Sequence, residues 1–157
     1  MAAEKTNPMR ILDRAKVQYR VHDYTKSGVV AALDVAAAMN ENPARAFKTL
    51  VTQGKSDRYY VFVLPATKEL DLKKAATAVG EKAVVMIPSK NLLATTGYIH
   101  GGCSPLGMRK QLQTVIDSSA ALPGPFYVSG GKVGIQLEMA FADLAKVLDY
   151  RLADIVR

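Results

Sequence analysis

The sequence predicts an α/β (mixed α+β) fold, a mixed β-sheet flanked by helices, and three observations carry that expectation. Stretches with helical spacing alternate with short strand-like runs along the whole chain. The apolar runs, such as AVVMIP from Ala83 to Pro88, have strand length and are too short to cross a membrane. No internal repeat, low-complexity tract or linker interrupts the 157 residues, so a single domain over 1–157 is expected.

Each element follows from local pattern. Asn7-Pro8 pairs an N-cap residue with a proline at the first helical position, predicting a short helix through Leu12 and Ala15. QYRVHDY alternates Tyr19 and Val21 with polar neighbours, as a strand does. Val30 to Met39 is alanine-rich and predicts a second helix; Asn42-Pro43 repeats the cap signal ahead of a short helix. FKTLVTQ and RYYVFVLPA predict a hairpin turning at GKSD. ELDLKKAATAVG reads as a helix capped by Asp71 and stopped by Gly80. KAVVMIP predicts a buried strand, and SKNLLATTG a helix capped by Ser89. LQTVIDSS and PFYVSGG read as strands, with KVGIQLEM pairing back across Gly130-Gly131. FADLAKVLDY predicts an amphipathic helix closing the chain.

Composition narrows the function classes. With 49% hydrophobic residues the chain builds a real core, and its N-terminus MAAEKTNPMR lacks the apolar centre of a signal peptide. One cysteine forms no internal disulfide, and no Cys/His cluster has metal-ligand spacing. A soluble cytoplasmic protein with no metal, no cofactor and no membrane association is expected. The net charge of +7 is localised: Arg45 to Lys110 holds eleven Lys/Arg against four Asp/Glu, while the rest holds ten of each. Such an excess suits a polyanionic partner, RNA or DNA phosphates above all, although a solvated basic face has the same composition.

The stretch TGYIHGGCSPLGMRK concentrates candidate chemistry. A G-x-S-x-G elbow is nearly present at Gly102-Cys103-Ser104, but Leu106 replaces the last glycine and Pro105 has no N–H for an oxyanion. Gly102 and Gly107 have P-loop spacing, but Met108 stands where the loop needs lysine. Cys103 as nucleophile requires a base, and His100 lies three residues away; a small core residue is the commoner role for such a cysteine. The remaining candidate is the backbone, whose successive N–H groups can hold an anion or a developing oxyanion in a turn stiffened by Pro105. A plain tight turn fits the same pattern.

TGYIHGGCSPLG, FKTLV, ELDLKKAA and FYVSGGKVGIQLE together resemble the YbaK/EbsC family, free-standing relatives of the editing (insertion) domain of bacterial prolyl-tRNA synthetase. The resemblance runs from about Arg10 to Ile155 with its blocks in the family's order. It implies an enzyme hydrolysing the ester between an amino acid and the 3′ end of a mischarged tRNA. Cys-tRNA(Pro) is the implied substrate, with Cys-tRNA(Cys) beside it, because proline and cysteine are too alike in size for one sieve. The alternatives are a deacylase for another small residue, such as Ala-tRNA(Pro), and a nucleic-acid-binding module without hydrolysis. The implied mechanism uses the substrate's own thiol to attack its ester carbonyl, leaving the protein to position and to stabilise the oxyanion.

Carried residue by residue, the resemblance assigns catalysis to Lys48 and to the loop of Gly101, Gly102, Ser104 and Pro105. Tyr24, Thr49, Cys103, Ser129 and Gln136 are assigned to substrate binding, with Cys103 at the loop's variable position. Val133 stands where arginine is common in the family, and Gln136 where some relatives carry an acid. A transient complex with prolyl-tRNA synthetase is the implied partner arrangement alongside the aminoacyl-tRNA.

Overall fold

The structure, a computed structural model, describes residues 5–25 and 43–157. The helix expected over Val30 to Met39 and the cap at Asn42 lie outside them. Helix α1 (Asn7–Arg14) starts one residue earlier than the cap signal suggests: Thr6 is the N-cap and Pro8 the second helical residue. Pro8, Met9 and Leu12 form its buried stripe. Strand β1 is Tyr19–Asp23, and a 3-10 turn at Pro43–Arg45 leads into the hairpin of β2 (Phe47–Gly54) and β3 (Tyr59–Pro65). In helix α2 (Leu72–Val79) the Asp71 carboxylate accepts the Lys73 and Lys74 amides at 3.0 Å each, and Gly80 ends the helix at φ +73°.

Three expectations change beyond α2. Strand β4 (Val84–Met86) buries only Val84; Val85 and Met86 are exposed because the strand lies at a sheet edge. Helix α3 (Ser89–Thr96) has Pro88, not Ser89, at its N-cap position, with no side-chain cap. Strands β5 (Gln113–Asp117), β6 (Phe126–Ser129) and β7 (Ile135–Met139) follow as expected. The closing helix does not form. Phe141–Lys146 is a 3-10 helix, and the chain then runs into strand β8 (Arg151–Ala153), parallel to β5. The apolar spacing of Leu144 and Leu148 still buries both, but the unfilled edge of β5 takes the residues that follow.

The strands form two sheets, ordered β4-β2-β3-β5-β8 and β1-β7-β6. Only the first is mixed; β1, β7 and β6 are antiparallel throughout. Among the described residues a single parallel bridge, Ala46↔Tyr127, joins the sheets. On that side of β2, strand β4 pairs only with Thr52 to Gly54, leaving the strand's start open to β6. Along β3, Val61 and Val63 face a core shared with Leu12, Phe47, Phe126 and Leu137, while Phe62 and Leu64 face a second core with Ala75, Ala76 and Ile155. Burial on both faces explains why YVFVLP reads as a continuous apolar run.

Candidate active site

The pleat of β2 decides where Lys48 points. Neighbouring side chains alternate between faces, and residues opposite one another in the ladder share a face. The Ala46↔Tyr127 bridge therefore phases Ala46 and Lys48 with Tyr127 and Ser129. Phe47 falls with Phe126, and their rings lie 4.9 Å apart. On the three-stranded sheet, Ser129 opposes Gln136 and Gln136 opposes His22. Lys48, Ser129 and Gln136 thus lie on one polar face, with His22, whose Nε2 sits 2.8 Å from Glu138 Oε1. Thr49 projects from the opposite face beside Phe47 and Val51, and its buried hydroxyl has no hydrogen-bond partner among the described residues. The structure separates Thr49 from Lys48 although they are adjacent in sequence.

Lys48 is half-buried, and that burial lowers its ammonium pKa below the ordinary value, with the charge of Glu69 acting the other way. A partly desolvated ammonium interacts with an anionic group more strongly than one in bulk water. Gln136 is buried, and Ser129 Oγ accepts the Gly131 amide at 3.2 Å, so the serine closes the hairpin turn. Tyr24 is buried just past β1, and its amide donates to the Gly134 carbonyl at 2.8 Å, tying it to the same hairpin.

The glycine-rich stretch forms a loop closed at its neck and packed on that hairpin. The Arg109 amide donates to the Thr96 carbonyl at 3.0 Å, bounding residues 97–108. Inside the ring, the Tyr98 hydroxyl donates to the Leu106 carbonyl at 2.5 Å and the Thr96 hydroxyl accepts the Tyr98 amide at 3.0 Å. Sequence reasoning passed over both residues; Thr96 is signalled only by its place before Gly97, the C-cap of α3. A Cβ on Gly102 would lie 3.0 Å from the Val133 nitrogen and 3.2 Å from the Lys132 carbonyl carbon, so two backbones meet where only glycine fits. Val133, read as a specificity position, meets the loop through its main chain.

The side chains of this loop are poor nucleophiles. Burial pushes the Cys103 thiol up to about 12, against a smaller downward pull from a Thr96 hydrogen bond. His100 is exposed while Cys103 is buried. Ser104 is fully buried, and its hydroxyl accepts the Leu106 amide at 3.2 Å. Pro105 is buried and Gly101 has φ +86°. The Gly102 amide turns back to the Ile99 carbonyl at 3.0 Å, whereas those of Gly101, Cys103 and Ser104 have no acceptor among the described residues. Buried amides are nearly always paired, and two of these three belong to buried residues.

Known proteins share this fold. Residues 26–147 match the family described as the aminoacyl-tRNA editing domain. EbsC of Enterococcus faecalis, named for a proposed Cys-tRNA(Pro)/Cys-tRNA(Cys) deacylase activity, is 42% identical over 153 residues, which cover 97% of this chain and 93% of that protein. Among solved structures, that of a hypothetical protein superposes with a TM-score of 0.88 at 20% identity, covering 97% of this chain and all of the other. The crystal structure of a proposed trans-editing enzyme for prolyl-tRNA synthetase gives 0.82 at 19% identity, covering 99% of each chain; at such identities the likeness is one of fold. The match over residues 26–147 and the identity with EbsC place this chain in the aminoacyl-tRNA editing domain family.

Proposed function

We propose that this chain is a free-standing aminoacyl-tRNA deacylase, that its substrate is tRNA mischarged with cysteine, Cys-tRNA(Pro) first, and that the thiol of the substrate opens the ester. The observation that carries the reading is a loop whose Gly101, Cys103 and Ser104 amides have no acceptor among the described residues and whose side chains are poor nucleophiles: Cys103 is buried with its thiol pushed up to about 12, and Ser104 is buried against the Leu106 amide. The attacking atom then comes from the substrate. Its sulfur bonds to the ester carbonyl carbon, the bond from that carbon to the tRNA 3′ oxygen breaks, and the thiol proton ends on that oxygen. The product is a cyclic thiolactone of cysteine, which water later opens. The amides of Gly101, Cys103 and Ser104 hold the oxyanion, and the Lys48 ammonium stabilises its charge or holds the terminal phosphate. Tyr24, Ser129 and Gln136 shape the binding face around Lys48.

EbsC's name, given for Cys-tRNA(Pro) and Cys-tRNA(Cys), supports the cysteine preference. A transient complex with prolyl-tRNA synthetase would supply tRNA identity, in the cytoplasm where charging occurs. The test is release of amino acid from Cys-, Ala- and Ser-charged tRNA(Pro). Rapid turnover of the cysteinyl substrate is expected, and release of alanine without cysteine would overturn the thiol mechanism. Lys48→Ala is expected to lower kcat/KM by about 100-fold, the size of losing one oxyanion-stabilising group, with the circular dichroism spectrum unchanged. Unchanged turnover would remove Lys48 from the site.

A further inference from the structure

A cleft of about 770 Å3 opens where the β2–β3 turn, the end of α3 and the segment leading into β5 meet. Arg58, Tyr59, Arg109, Lys110 and Gln113 line it, with Asp57 as the one acid among its lining residues. Arg58, Arg109 and Lys110 are exposed, and among the described residues none of them forms a salt bridge. The nearby acid Glu81 is already engaged by the hydroxyls of Ser56 and Tyr60. These three cations belong to the Arg45–Lys110 stretch that holds the chain's whole charge surplus. A concave surface with three cations, an amide side chain and a tyrosine ring has the chemistry that tracks a nucleic-acid backbone.

Its position ties it to the glycine loop. Arg109 closes the neck of the 97–108 ring through its bond to Thr96, and Thr95 lines the same cleft. Six residues separate Arg109 from Cys103, a span of at most roughly 20 Å. Phosphates along one strand of a duplex rise about 3.4 Å apiece, so the cleft lies within about six nucleotides of an ester held at the loop. We infer that this cleft grips the phosphate backbone of the substrate RNA a few nucleotides from its charged end, anchoring the strand while the Lys48 face handles the ester. The identity of the RNA rests on the deacylase reading; the grip on a phosphate backbone does not.

The full-length double variant Arg109→Gln/Lys110→Gln tests this. Glutamine keeps a stem over Gly97, whose Cα faces the Arg109 side chain. Affinity for uncharged tRNA, measured by fluorescence anisotropy across a salt series, is expected to fall. The slope of log affinity against log salt becomes shallower by about 1.4 for two single-strand contacts or about 1.8 for two duplex contacts. KM for aminoacyl-tRNA rises at constant kcat, while cleavage of a cysteinyl ester of adenosine, too short to reach the cleft, is unaffected. An unchanged affinity and slope overturn the inference. So does a defect that appears only when prolyl-tRNA synthetase is present, which makes the cleft a protein contact. If the parent protein cleaves no aminoacyl-tRNA, the deacylase reading fails on its own, and the tRNA slopes still decide the cleft.

Discussion

Cys103 has the most reactive side-chain type in its loop and the least opportunity to react. Its thiol is pushed from 9.0 to about 12, first by burial, so the neutral form is the one the fold stabilises. The folded value lies above the unfolded one. The associated stability is therefore complete below about pH 9 and is lost as pH rises through about 12. Tyr98 acts in the same sense, its phenol pushed up to about 12 by burial and then by Cys103. Cys103→Ala is expected to retain cysteinyl-tRNA deacylation. Urea titrations from neutral to alkaline pH should show the variant losing less stability with pH than its parent. Parallel losses would mean the thiol is not held neutral by the fold. What the sequence offered at this scale was residue type. Whether a thiol meets solvent depends on how the ring closed by Thr96 and Tyr98 folds, and on the hairpin that Gly102 packs against.

The β6–β7 hairpin supports both the loop and the polar face. Gly134 has φ +92°, and a Cβ there would lie 2.4 Å from the Thr25 side chain and 2.8 Å from its Cα, beside the bond from the Tyr24 amide. Gly134→Ala is expected to destabilise the protein by at least about 1–2 kcal/mol for the left-handed backbone alone, read as a lower Tm in calorimetry. Deacylation should weaken with it, because Tyr24 and Ser129 are anchored to the same turn. Elements set by local chemistry were legible in advance: α2 has its Asp71 cap and Gly80 stop, and the β2–β3 hairpin its turn residues. Elements decided at a distance were not. Leu144 and Leu148 have the spacing of an α-helix, yet the 3-10 helix ends at Lys146 and the free edge of β5 draws Arg151–Ala153 into a strand. The apolar content of β4 suggested burial, but two of its three side chains are exposed at an edge.

Across the whole molecule, Arg45 connects what the strand ladders leave separate. It is 6% exposed, and its guanidinium donates to the carbonyls of Pro125 at 2.8 Å, Ser119 at 2.8 Å and Ala120 at 3.1 Å, with its charge 5.6 Å from the Phe47 ring centre. Those carbonyls lie on the connection from β5 in one sheet to β6 in the other. Removing the donors leaves buried carbonyls unpaired, partly offset by relief of a desolvated charge. Arg45→Met is expected to cost roughly 2–4 kcal/mol, seen as a lower urea midpoint at constant m. Arg45→Lys should recover little, since one ammonium cannot span three acceptors. The single Ala46↔Tyr127 bridge beside this clamp makes the site a matter of parity. Counted from that bridge, Lys48 falls on the face of Ser129 and Gln136, and Phe47, Thr49 and Val51 on the face of the first core. One residue gained or lost between Ala46 and Lys48 would turn the lysine inward with every side chain still present. A lineage of such proteins that keeps the lysine must therefore also keep the number of letters written between it and the bridge.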